Sequence, residues 1–279
     1  TADIINIDTL ILENPYNGSF PGSSSFTYGP ISDLTGIEDF SNLTYLDCSG
    51  GNIIDTLDLS QNLTLTYLNC SGAGWVIQHF RQISSLNISQ NTALSHLICN
   101  STLLSQLDLS QNPNLTFLNC RDNELQILDL SQNINLEHLN CSGNNLSYLD
   151  VSNNIALKHL NCTENELHLL NADQNINLTY LNCSNNHISF LDVSQDTSLA
   201  TLICGEEFGG FFGPGISSGN NLKSLDLSQN FNLTNLRCSN NQLVNLNLKN
   251  GNNSMLYELE INNTFNIIYG IDICFEPTS

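Results

Sequence analysis

Positive charge is nearly absent from this chain: six Lys and Arg stand against 27 Asp and Glu, a net charge of −21. Nucleic acid is bound by Lys and Arg that displace the counterions condensed on its phosphates, so no nucleic-acid partner is expected. An anionic membrane surface is disfavoured for the same reason. No apolar run approaches the roughly 20 residues of a membrane span, and no membrane insertion is expected. Helical periodicity is also missing, because hardly any stretch places apolar residues at a 3.6-residue spacing. The chain opens on Thr1 with neither Met nor a leader segment, as expected of a processed or trimmed polypeptide.

What the chain has instead is a period. Cysteines fall at 48, 70, 99, 120, 141, 162, 183, 204, 238 and 274, and the five steps from Cys99 to Cys204 are 21 residues each. The longer steps around that run, of 22, 29 and 34 residues, mark insertions in a regular array. Around each of the first nine cysteines a text recurs, of which Leu115-Thr-Phe-Leu118-Asn-Cys120-Arg-Asp-Asn123-Glu-Leu125 is one copy. It reads L-x-x-L-x-C-x-x-N-x-L and is followed by a second half such as Leu128-Asp129-Leu130-Ser131-Gln132-Asn133.

Alternation of side chains along an extended segment sends Leu118 and Cys120 inward and Phe117, Asn119 and Arg121 outward. Repeated coils then stack at roughly the 4.8 Å strand spacing. The pattern predicts a right-handed, curved leucine-rich-repeat solenoid, with a parallel concave β-sheet, a mostly extended or 3₁₀ convex side and few or no long helices. One domain over 1–279 is expected. Cap half-coils occupy 1–42, cysteine-bearing repeats 43–254 with insertions at 71–84 and 205–221, and a degenerate coil 255–279. Ile7 to Leu12 matches the second half of a coil, and Leu256 to Ile261 the first half.

Nine cysteines, Cys48, Cys70, Cys99, Cys120, Cys141, Cys162, Cys183, Cys204 and Cys238, form an internal column on this reading. Their spacing lies near the disulfide range, but parallel Cβ vectors disfavour bridging, and free thiols packed as small hydrophobes are expected. Cys274 follows Ile271-Asp272-Ile273 in the place of the Ser of L-D-L-S, outside the ladder.

Cys in the third Leu position on a 21-residue period resembles the cysteine-ladder internalins. The string from Ile31 to Cys48 also resembles the start of the repeats in secreted leucine-rich-repeat proteins of Bacteroidetes-type bacteria. The resemblance covers roughly residues 7 to 273. It implies a secreted or cell-surface protein engaged in attachment. No helical N-terminal cap, following immunoglobulin-like domain or sorting signal is evident, so that location rests on the resemblance alone.

Candidate sites follow from the outward rows. Tyr45, Tyr67, His96, Phe117, His138, His159 and Tyr180 form a column of rings before the row gives way to Thr201 and Asn235. Flat rings with polar tips bury much area at low entropy cost and suit recognition, although exposed sheet faces also favour aromatics for their own sake. The next row, with Asn119, Asn140, Asn161 and Asn182, is read as an amide ladder that stabilises its own sheet. Two insertions leave the coil at the same point and carry aromatics: Trp75, His79, Phe80 and Arg81 in one, Phe208, Phe211 and Phe212 in the other. A third long stretch, 13–30, carries Tyr16, Phe20, Phe26 and Tyr28. Long loops in repeat arrays are commonly functional or disordered.

The Asp row that includes Asp108, Asp129 and Asp150 could take a weak, adventitious calcium ion. Calcium wants six to eight oxygens, and a solvated face is the favoured reading; no cofactor is expected. His138 and His159 offer no third ligand for a dedicated zinc site. Glu164 and Glu166 could be a carboxylate pair, but turn residues are usually only solvated.

The sequence therefore points to a non-catalytic, monomeric binding or adhesion module for a protein or glycan partner. A structural spacer without a selective ligand is the alternative. Ice binding is a remote third, because the row Thr44, Thr66, Ser95, Thr116 and Thr179 is broken by Glu137, Lys158 and Ala200.

Overall fold

The computed structural model describes residues 6–12, 31–50, 54–72, 83–205, 219–251, 256, 258–260 and 272–274. Every regular element follows from the alternation of the repeat. Each L-x-x-L-x-C segment makes a three-residue strand whose central Leu is buried and whose flanking residues face out.

The chain packs as two units, Thr1–Ile134 and Asn135–Ser279. In the first, the main-sheet strands run in the order Thr9–Ile11, Tyr45–Asp47, Tyr67–Asn69, His96–Ile98 and Phe117–Asn119. All pair in parallel with equivalent residues in register: Leu46, Leu68, Leu97 and Leu118 are successive partners. In the second, the order is His138–Asn140, His159–Asn161, Tyr180–Asn182, Thr201–Ile203, Asn235–Arg237 and Glu258–Glu260. The second halves of some coils add small parallel sheets, Thr56–Asp58 with Ser85–Asn87 in the first unit. In the second unit Ser224–Asp226, Asn245–Asn247 and Asp272–Cys274 do the same. The leucine-rich-repeat fold is thus present, with a 3₁₀ turn at Ile37–Asp39 and no α-helix among the described residues.

Two terminal assignments need correction. Thr9–Ile11 pairs with Tyr45–Asp47 and so belongs to the main sheet, not to a second half-coil. Ile273 pairs with Leu246, which pairs with Leu225. Cys274 therefore stands in the Asp position of L-D-L rather than the Ser position, a shift of two that alternation alone does not detect. The segment at Glu258–Glu260 takes its expected main-sheet place, with Leu259 opposite Leu236.

The core of each coil is leucine plus one sulfur. Leu97, Leu118, Leu139, Leu160, Leu181 and Leu202 are fully buried, as are Cys99, Cys120, Cys141, Cys162, Cys183 and Cys204. All nine ladder cysteines are free thiols. Burial pushes the Cys120 and Cys183 thiols up to about 12, which keeps them protonated and unreactive, since the thiolate is the nucleophile. The backbone turns two residues after Cys, where seven coils place a residue with left-handed φ: Gly50, Ser101, Asp122, Gly143, Glu164, Asn185 and Asn240.

Two rows of buried asparagine tie successive coils together. The Nδ2 of Asn165 donates to the carbonyls of Cys141 (3.0 Å) and Cys162 (3.1 Å), and Asn186 and Asn241 repeat the arrangement in later coils. This row is the Asn of the L-x-x-L-x-C-x-x-N-x-L motif. The second is the Asn closing the L-D-L-S-Q-N half, which is also buried and points its amide at the coil before it. Asn175 donates to Val151 (3.0 Å) and Asn154 (2.9 Å), and Asn112 to Ile88 (3.1 Å) and Asn91 (3.0 Å).

Candidate functional site

Outward rows hold whatever chemistry the coil does not consume internally. Most polar rows are consumed. The carboxylates of Asp108, Asp129 and Asp150 each accept the backbone N–H of the serine two residues on at 2.9 Å. The Ser110 backbone and side chain hold Asp108 below the usual carboxylate range, and the Ser152 side chain and then its backbone do the same for Asp150. Among the described residues, no three His, Cys, Asp or Glu side chains are grouped as a metal site would need. The Asn row following the central Leu does the same: Asn140, Asn161 and Asn182 accept the N–H of Ser142, Thr163 and Ser184. The hydroxyl row turns inward as well. Thr66, Ser95 and Thr179 donate to the carbonyls of Thr44, Thr66 and Lys158 in the coil before, at 3.0 Å each.

The ring row behaves differently. In the first unit Tyr45 and Tyr67 stack with centroids 4.2 Å apart and planes within 4°. Tyr67 and His96 follow at 6.1 Å, and His96 and Phe117 at 5.8 Å. In the second unit His138 and His159 lie at 5.6 Å, and His159 and Tyr180 at 4.1 Å and 3°. Strand spacing brings the rings together, since in-register neighbours across a parallel pair sit only about 4.8 Å apart. The rings therefore use their faces on each other and present edges and polar tips outward, most openly at His96 and His138. Burial pushes the Tyr67 hydroxyl up to about 12, with help from the Tyr45 hydroxyl beside it. Burial first, then the neighbouring His138, lowers His159, which favours the neutral imidazole.

Glu166 does not turn towards Glu164. Its carboxylate lies 2.9 Å from Nε2 of His187 in the next coil, while Glu164 occupies the left-handed turn. The edge-loop residues Trp75, His79, Phe80, Arg81, Phe208, Phe211 and Phe212 fall outside the described residues, as does the 13–30 stretch. The frame of the second insertion is described. Gly205 and Gly219 press so closely on the Ser239 and Asn240 carbonyls that a Cβ at either place would overlap them.

One row escaped the sequence reading. The residue just before the first Leu of the second half is exposed and apolar in three coils of the second unit: Tyr148 (65% exposed), Leu169 (55%) and Phe190 (61%). Ile127 holds the same position in the first unit. The signal was present as a 21-residue column of apolar residues at positions where the alternation sends side chains outward.

No protein-family model matches the sequence, and none of the curated proteins matches it. Solved structures do. The functional domain of InlJ from Listeria monocytogenes, described as including a cysteine ladder, is 32% identical over 83% of this chain and 61% of that one, with a TM-score of 0.43. A leucine-rich-repeat protein of Leptospira interrogans is 24% identical over 81% and 56%, with a TM-score of 0.67. YopM, a leucine-rich effector protein of Yersinia pestis, is 23% identical over 84% and 60%, with a TM-score of 0.60. The last two share the leucine-rich-repeat fold with this chain, which spans 56% to 61% of the length of these three structures.

Proposed function

We propose that this leucine-rich-repeat, cysteine-ladder chain is a non-catalytic protein-interaction module of a secreted or cell-surface protein, and that it binds through the ring-bearing outer face of its main-sheet strands. The observation that carries the reading is the stacked row itself: within each unit neighbouring rings lie face to face and turn their edges outward, most openly at the exposed His96 and His138. Stacking also fixes the rings in place, so a partner meets a surface already ordered, which lowers the entropy cost of association. The fold shared with an effector protein fits an interaction role. No cofactor is required, and the buried, protonated thiols offer no nucleophile.

The test is an array of proteins and glycans probed with the purified chain, repeated with His96→Ala, His138→Ala and Tyr180→Ala, and with Trp75→Ala and Phe212→Ala for the edge loops. A selective partner lost on ring substitution supports the reading; a partner whose binding survives all five substitutions refutes the site. The spacer reading has an observation of its own, since rings that stack on one another already serve the sheet. It predicts no selective partner on the array.

A further inference from the structure

The apolar row of the second unit lies beside acid. Tyr148, Leu169 and Phe190 are more than half exposed, and a second apolar pair, Ile155 and Ile176, is exposed further along the same half-coils. Between them run Asp150, Asp173 and Asp192, all exposed. Serine bonds hold the Asp150 carboxyl below its ordinary range, so it is ionised at neutral pH. Across the three segments 147–155, 168–176 and 189–197 there is no Lys or Arg. An apolar stripe this continuous marks an interaction surface more often than a bare one.

We propose that this face of the second unit docks a cationic amphipathic segment of a partner protein, one that interleaves Lys or Arg with apolar side chains. Charge complementarity selects that occupant. An acidic partner is repelled, and a second copy of this chain would bring carboxylate against carboxylate with a net charge of −21 on each side. A neutral apolar partner would cover the stripe but leave the Asp row partly desolvated with no counter-charge, which is costly. The surface is separate from the ring row, so the inference does not rest on the reading above.

The experiment titrates the full chain into short fluorescent peptides alternating Leu with Lys, Leu with Ser, or Leu with Glu. The Leu–Lys peptide is expected to bind tightest. Leu169→Ser with Phe190→Ser should weaken it by at least about tenfold, Asp150→Asn with Asp192→Asn should flatten its salt dependence, and Tyr180→Ala should leave it unchanged. Equal binding after the apolar pair is removed reduces the effect to bulk charge and overturns the proposal. So does equal binding of the Leu–Ser peptide, or loss on Tyr180→Ala.

A different residue carries a second inference. In the buried asparagine row the amide nitrogen does the bonding, to two equivalent carbonyls of the preceding coil; where successive coils are 21 residues apart these lie 24 and 21 positions earlier, as Asn175 bonds Val151 and Asn154 and Asn133 bonds Leu109 and Asn112. In the coil between Asn175 and Asn230 the residue is Asp196. It is fully buried and neither carboxyl oxygen has a hydrogen-bond partner. By the register of the row, the equivalent carbonyls of the coil before it are those of Ala172 and Asn175. A carboxylate there meets only acceptors, whereas a neutral acid can donate one O–H.

We infer that Asp196 is a proton-operated latch between coils, closed when the acid is neutral and loosened when it ionises. Burial first, then the charges of Asp173 in the preceding coil and Asp192 in its own, raise it from 3.8 to about 7. On the following coil the facing stretch 228–232 has no titratable group. A folded-state value above the unfolded one means that the folded chain holds the proton more tightly. The stabilisation is complete below about 4, is lost as pH rises towards about 7, and stays lost above that.

The test compares unfolding midpoints of wild type and Asp196→Asn across this range, so that all other titrating groups cancel. The Asn variant should be the more stable at about pH 8, by several degrees, and the gap should shrink steadily on acidification. A gap that is absent or does not change with pH overturns the inference. Amide protection of residue 196 and Leu199, both bonded within this turn, relative to the intrinsic exchange rate at each pH, should fall as pH rises in wild type only.

Discussion

Replacing Asn175 with Ala probes the ladder that the sequence reading missed. The side chain is fully buried, and its Nδ2 donates to Val151 at 3.0 Å and Asn154 at 2.9 Å. A typical hydrogen bond contributes about 0.5–1.5 kcal/mol net, so two account for about 1–3 kcal/mol. The acceptors are not orphaned, because Val151 O still receives the Asn154 N–H and Asn154 O the Leu157 N–H, each at 3.0 Å. The full desolvation penalty of a bare carbonyl therefore does not apply. A small cavity adds to the loss, and the expected total is about 2–4 kcal/mol. Asn177→Ala is the control, because Asn177 also donates to a carbonyl of the preceding coil, Ile155 at 3.1 Å, but from an exposed position. It should change stability by less than about 0.5 kcal/mol. Urea unfolding followed by circular dichroism measures both. A loss under about 0.5 kcal/mol for Asn175→Ala, or equal losses for the two variants, would mean that the buried amide row is not what ties the coils together.

The nine ladder thiols should resist an aromatic disulfide reagent in the native chain and react once it is unfolded; rapid native reaction of several would place them outside the core. Cys162→Ser buries a hydroxyl where a fully buried sulfur sat and should destabilise by about 1–3 kcal/mol, whereas Cys162→Ala should be milder. His159 is held below its ordinary value of 6.5, so its contribution is present above about 6.5 and is lost as pH falls through the lower folded value. That slope opposes the Asp196 latch, and His159→Phe should remove it; a variant with an unchanged acid limb refutes the assignment. Glu164 holds a φ of 54°, and Glu164→Gly should raise stability by up to about 1 kcal/mol by relieving left-handed strain; a clear loss argues that its side chain has a bonded role.

The interior was readable because it repeats with two periods at once. A spacing of 21 residues aligned the coils, and alternation sent Leu118 and Cys120 inward, as found. The terminal half-coils were not readable for a related reason. Leu10 flanked by outward residues fits either half of a coil, and only pairing with Leu46 decides between them. Cys274 slipped by two because a shift of two preserves which residues face in. The left-handed turn two residues after Cys left no compositional trace, since Ser101, Asp122, Glu164 and Asn185 share it with glycines. The ring row was legible as a row, but its stacking was not: nothing in the text distinguishes rings that face solvent from rings that face each other.

The coil's hydrogen-bonding economy narrows where function can lie. Asx-type bonds occupy the Asp and Asn rows, inward donation occupies the Thr and Ser row, and two amide ladders occupy the buried asparagines. A mutation in any of these rows acts on stability before it acts on binding. Two rows present rings or apolar side chains outward instead: the edges of the stacked rings, and the apolar stripe through Tyr148, Leu169 and Phe190. The stripe contributes nothing to the core at more than half exposure, and replacing it with serine should leave unfolding within about 0.5 kcal/mol of wild type. Stability unchanged and a partner lost is the signature that separates a recognition row from a structural one, and those two rows are expected to give it.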